Sequence, residues 1–133
     1  MKHRFKYAKF GFYFRPVIQV ALRHNDKEFK YLALIDSGVD LNIFHANLAS
    51  ILGIDISKLK THSFEGIKKE ASALGYLSVI EIGIDNIFFD TPVVFSSDIS
   101  DSGYGILGQQ GFFDHFRVKM DYKGKDIELK SNK

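Results

Sequence analysis

The sequence contains no cysteine and no tryptophan, and only two prolines. Without cysteine there is no disulfide framework, no thiolate nucleophile and no sulfur metal site, and the redox compartment is left open. Long apolar runs are also missing. The opening segment, Met1 to Phe10, carries the positive charge of a signal peptide but no apolar stretch behind it, and nothing later approaches spanning length. A soluble cytoplasmic protein with no membrane partner is the expectation. An excess of one charge is lacking too: the formal net charge is +2, and the cations are spread out apart from modest clusters at Met1 to Lys9 and Lys119 to Lys133, which read as solvated termini. No nucleic-acid partner is expected.

Several chemical motifs are absent as well. There is no glycine-rich phosphate loop and no Gly-x-Ser-x-Gly elbow, which removes the main nucleotide-binding patterns and the usual serine hydrolases. The five histidines (His3, His24, His45, His62, His115) never fall three or four residues apart, so no metal site is expected. No cofactor is implied. The aromatic stretch Phe10-Gly11-Phe12-Tyr13-Phe14 could stack on bases, but reads more simply as strand residues at a core or dimer surface.

What is present points to one folded domain over residues 1–133, with its core between about 12 and 130. The chain is 45% hydrophobic and has thirteen phenylalanines, enough for one sizeable core and too short for two domains. Val17 to Leu22 and Phe29 to Ile35 form two apolar runs separated by a polar turn, and Leu77 to Ile84 and Ile87 to Phe95 repeat the pattern around Asp85-Asn86. Both pairs predict hairpins. Val118 to Tyr122 and Lys125 to Leu129 predict a third. Phe44, Leu48, Ile51 and Leu52 recur at helical spacing before Gly53, and Phe112, Phe113 and Phe116 suggest a second short helix over Gln109 to Phe116. The fold class is therefore all-β: a barrel-like domain with one or two short helices.

The informative residue is Asp36, which ends the apolar strand Leu32-Ala33-Leu34-Ile35. Burial disfavours an ionised carboxylate, so an acid there needs a partner or a task. Ser37 adds a hydroxyl, and Gly38 lets another backbone or a ligand come close. The tripeptide alone is weak evidence, because Asp101-Ser102-Gly103 repeats it in a polar loop where a turn explains it. A second element, Ile106-Leu107-Gly108, follows Asp36 by about seventy residues, within the reach of one small barrel.

Taken in order, Arg15-Pro16-Val17-Ile18, Ala33 to Asp40, Asn42-Ile43-Phe44 with a helix ending at Leu52-Gly53-Ile54, and Gly105 to Asp114 give a pattern that resembles the retropepsin-like aspartic peptidases. The small prokaryotic members are the most similar, over about Arg15 to Leu129. The resemblance implies a retropepsin-like barrel and an aspartic endopeptidase in which Asp36 from each of two chains activates one water. Ser37 stands where Thr is commoner and would grip the partner loop. Gly38 would turn a carbonyl to substrate, and Val39, Asp40, Gly66, Ile67, Ile106 and Gly108 would contact it. The cleft would be apolar, with Ile35, Val39, Ile67 and Ile106 as candidates, and a flap is expected around Phe64 to Glu70, though it has fewer glycines than is usual. The implied partners are a second copy of the chain and a peptide or protein substrate. Lys6 to Phe14 and Lys125 to Lys130 would interleave across the dimer. The alternative is a binding module of the same fold that no longer cleaves peptides.

Overall fold

The computed structural model describes residues 2–65, 72–99 and 103–132. In chain order the strands are β1 (Lys2–Lys6), β2 (Ala8–Phe10), β3 (Tyr13–Arg15), β4 (Val17–His24), β5 (Lys27–Ile35), β6 (Asn42–His45), β7 (Lys60–Glu65), β8 (Ser72–Ile84), β9 (Ile87–Ser96), β10 (Gly105–Leu107), β11 (Phe116–Asp121) and β12 (Asp126–Ser131). One short helix, α1 (Ala46–Ile51), lies between β6 and β7.

The main sheet runs β4-β5-β10-β6-β9-β8-β7, and β4 also pairs with β8. That last pairing closes six strands into a barrel. It matches Ala21 with Gly83, Leu22 with Ile82 and Arg23 with Glu81. Across this seam the Arg23 guanidinium grips the Glu81 carboxylate at 2.7 and 3.2 Å and lies 3.5 Å over the Phe88 ring. The hydrogen bond to Arg23 holds the Glu81 carboxyl below its usual range.

The hairpins form where turn chemistry and apolar periodicity agree. Asp85 and Asn86 both take positive φ (48° and 67°), the I′ geometry that matches strand twist, and Ile84 then faces Ile87. Asn25 has φ 55° in the turn between β4 and β5. In β4, alternation buries Val20 and Leu22 and exposes Gln19. These residues meet Ile80, Ile82, Ile84, Val93, Phe95, Phe44 and Leu107 in one core. Fully burying each Leu, Ile, Val or Phe side chain is worth about 1.5–3 kcal/mol.

Helix α1 starts where the His45 side chain accepts from the Asn47 amide, and it ends at Gly53, whose φ of +74° releases the chain. Residues 109–116 do not form the expected second helix. Gly111 has φ +107°, and its amide donates to the Asp114 carboxylate at 3.0 Å, so the segment closes as a tight turn that still buries Phe112 and Phe116.

A three-stranded antiparallel sheet, β1-β12-β11, adds Ile127, Leu129 and Phe116 to the same core. Here β12 is central, so both of its edges are taken by its own chain. Lys125 to Lys130 therefore leaves no free edge for the interleaving expected of it. The stretch Phe10 to Phe14 is not core either: it forms the separate β2–β3 hairpin, and Phe12 is 97% exposed.

Candidate active site

The segment from Asp36 to Leu41 joins β5 to β6, strands that are not neighbours, because β10 lies between them. Strand β10 runs parallel to β5, pairing Ile106 with Leu34 and Leu107 with Ile35, and antiparallel to β6. The Asp36 amide then donates to the Leu107 carbonyl at 3.0 Å, which carries the pairing one residue past the strand. On the other side the Ile35 amide donates to the Pro16 carbonyl at 2.9 Å. Asp36 is thus fixed between two backbone anchors.

Its side chain is half-buried. One carboxylate oxygen, Oδ1, accepts the Gly38 amide at 2.9 Å, an Asx-type turn that tightens the loop. Among the described residues no basic side chain pairs with the carboxylate. Ser37, Gly38 and Asp40 are exposed and Val39 is half-buried, so the loop turns its outer side to the surface.

The inner side is clamped to the residues after β10. The Gln109 amide donates to the Val39 carbonyl and the Gln110 amide to that of Asp40, both at 2.8 Å, while the Gln109 side-chain amide donates to the Ser37 carbonyl at 2.6 Å. Gly108 lies buried behind the loop, unlike residues 36–40 and Ile106. A β-carbon there would sit 2.5 Å from the Leu41 carbonyl oxygen and 2.7 Å from that of Val39, so the close approach requires glycine.

Beneath the clamp is a buried polar network. Asn42 is fully buried; its Oδ1 accepts the Gly108 amide at 3.0 Å, and its Nδ2 donates to Thr91 Oγ1 and to the Pro92 carbonyl, each at 3.2 Å. The Thr91 hydroxyl donates in turn to the Gly111 carbonyl at 2.6 Å. One side chain therefore ties together β6, β9 and the segment after β10. Sequence reasoning placed no site role on Asn42, Thr91 or Gln109. The available signal was an asparagine opening the otherwise apolar Asn42-Ile43-Phe44, since a buried amide must find partners.

The structure brings Asp36, Ser37, Gly38, Val39 and Asp40 onto one loop and sets Ile106 beside it in β10. Ile35, a candidate for the cleft wall, is instead 3% exposed and belongs to the core. Gly66 and Ile67 lie outside the described residues. The strands leading to them are described: β7 and β8 pair antiparallel up to Glu65 opposite Ser72. Asp101 and Ser102 of the second Asp-Ser-Gly also lie outside. Among the described residues no cluster of His, Asp or Glu could hold a metal ion, and no helix is long and apolar enough to cross a membrane.

No protein-family model and no curated relative matches the sequence. Among solved structures, the fold is similar to the crystal structure of a retropepsin-like aspartic protease from Rickettsia conorii, with a TM-score of 0.66 and 16% identity over 97% of this chain and 91% of that one. The fold is therefore retropepsin-like, all-β with one short helix among the described residues.

Proposed function

We propose that the chain is an aspartic endopeptidase that works as a homodimer, with Asp36 from each copy forming the catalytic dyad. The observation that carries this reading is the placement of Asp36. In a retropepsin-like fold it stands on a surface loop whose inner side is fixed by backbone and buried-amide hydrogen bonds and whose outer side is open. A lone carboxylate so held makes half a site, and a two-fold axis through the loop completes it.

Two carboxylates brought together cannot both ionise at low cost, so the dyad holds one shared proton, and its titration belongs to the pair. The ionised Asp36 removes a proton from the water between the loops, and the oxygen attacks the peptide carbonyl carbon. The protonated Asp36 gives its proton to the carbonyl oxygen. Collapse of the resulting diol breaks the C–N bond, and the amine leaves with a proton from the dyad. Because Asp36 Oδ1 already accepts the Gly38 amide, Oδ2 is the oxygen free to face the water. Gly38 offers its carbonyl to substrate and the Ser37 hydroxyl reaches the partner loop. Val39, Asp40 and Ile106 line the nearest subsites.

The test is cleavage of a diverse peptide library between about pH 4 and 7, where a dyad can hold one proton. Cuts made by the wild type and lost in Asp36→Asn support the proposal. A wild type that is dimeric by sedimentation yet cuts nothing makes the fold a binding module, and activity from a monomer removes the shared dyad.

A further inference from the structure

The β2–β3 hairpin has no place in the proposed chemistry. Among the described residues it pairs with no other strand, and an isolated two-stranded ribbon has little stability of its own. Its turn is Gly11-Phe12, with Gly11 at φ +62°, so Phe12 stands at the apex. The cross-strand pairs place Phe10, Tyr13 and Arg15 on one face and Lys9 and Phe14 on the other. The inner part of each face is anchored. Phe10 packs edge-on to Tyr104 at 5.5 Å, and Arg15 Nη1 donates to the Tyr104 hydroxyl at 2.8 Å; Phe14 lies under Lys125, 5.2 Å from its ammonium.

The outer part is not covered. Phe12 is 97% exposed, Tyr13 68% and Phe14 36%, three consecutive aromatics pointing outward from the apex and from both faces. Rings that stand outward from an apex and from both faces leave water together in a medium that encloses the tip, as a lipid interface does. The segment that carries the hairpin has charge of one sign, although Asp121 and Asp126 stand near its base. Residues 1–15 hold Lys2, Arg4, Lys6, Lys9 and Arg15 and no acidic residue, in a chain whose net charge is only +2. Arg4 and Lys6 are paired with Glu128 and Asp126, and Lys2 stands at the far end of β1; Lys9 and Arg15, with Lys125 from the turn beside Phe14, form the cationic collar of the hairpin.

We infer that this hairpin docks the protein on an anionic lipid surface, with Phe12, Tyr13 and Phe14 in the interface and Lys9, Arg15 and Lys125 against the headgroups. The dimensions fit. Three residues per arm reach about 10 Å, and interfacial apolar groups sit about 5–10 Å deep. Aromatic rings with a polar edge favour that layer, and nearby cations add attraction to anionic lipids. Such peripheral contact needs no spanning segment. The inference stands on the hairpin alone and does not depend on Asp36.

The chain has no tryptophan, so Phe12→Trp supplies a single reporter at the apex. Its emission is expected to shift to the blue with vesicles of phosphatidylcholine containing about one-third phosphatidylserine, and not with phosphatidylcholine alone, with the shift fading at high salt. In co-sedimentation of the full chain, Phe12→Ser with Tyr13→Ser should weaken partitioning about tenfold or more, and Lys9→Glu with Lys125→Glu by a comparable factor. Circular dichroism should report an unchanged fold in both variants. Wild type that stays in the supernatant with both vesicle types overturns the inference, as does binding indifferent to Phe12. Loss of dimer in the serine variant without vesicle binding would assign the hairpin to a second copy, and binding of an oligonucleotide in place of vesicles would assign it to nucleic acid.

Discussion

The Asp36 loop and the β2–β3 hairpin adjoin each other, joined through Pro16, yet they are held in opposite ways. The loop is fixed from inside by backbone pairs, a buried amide and a glycine that no side chain could replace. The hairpin is held from outside by rings and cations at the surface, and its apex touches nothing among the described residues. A buried hydrogen bond contributes about 1 kcal/mol net, but orphaning a partner costs about 1–3 kcal/mol, so the loop's geometry is enforced by penalty. Exposed ring and cation contacts are worth about 0.5–1 kcal/mol each and can be lost singly. Rigidity where a reacting group must be placed and latitude where a surface must adapt meet across the hydrogen bond from Ile35 to Pro16.

Four substitutions probe this contrast. Gly108→Ala should have the largest effect, about 3 kcal/mol or more in urea denaturation, because the new methyl meets backbone oxygens that cannot turn aside. Asn42→Ala should follow at about 2–4 kcal/mol, by stranding the Gly108 amide and removing the donor to Thr91 Oγ1 and the Pro92 carbonyl; amide exchange at Gly108 should quicken with it. Equal stability of Asn42→Ala and wild type would mean that the network is not what holds the loop. Gln109→Ala removes one exposed side-chain bond to the Ser37 carbonyl and should cost about 0.5–1.5 kcal/mol, with a larger loss in any peptide cleavage than in stability. Phe12→Ser should change the stability in urea denaturation least, within about 0.5 kcal/mol, since the ring is already in water. If it destabilised the fold as much as Asn42→Ala, the hairpin would be part of the core's support and the contrast would fail.

The sequence made the loop more legible than its supports. Hairpins at Asn25-Asp26 and Asp85-Asn86 declare themselves locally, and Asp36 stands out because a charge ends an apolar run. The helix expected over residues 109–116 failed because aromatic spacing fits a tight turn as readily as a helix, and Gly111 settles the matter through its positive φ. Strand β1, Lys-His-Arg-Phe-Lys, has little apolar periodicity; its strand character comes from pairing with β12, about 125 residues away. Asn42 was invisible as a support because its partners, Thr91 and Gly108, lie far along the chain. The exposure of Phe12 was equally hidden, since an aromatic run reads as core until its neighbours are known.

The three residues of β10 carry one further consequence, for the order in which the protein is made. They slot between β5 and β6, segments synthesised some sixty to seventy residues earlier, and they alone bring the anchor for the Asp36 amide. Until Gly105 to Gly111 has left the ribosome, the gap between β5 and β6 stays unfilled and the aspartate has no fixed position. Closing such a long loop is entropically slow, so the carboxylate is set in place among the last events of folding. A nascent chain can therefore carry its acid through synthesis before that acid is organised to act.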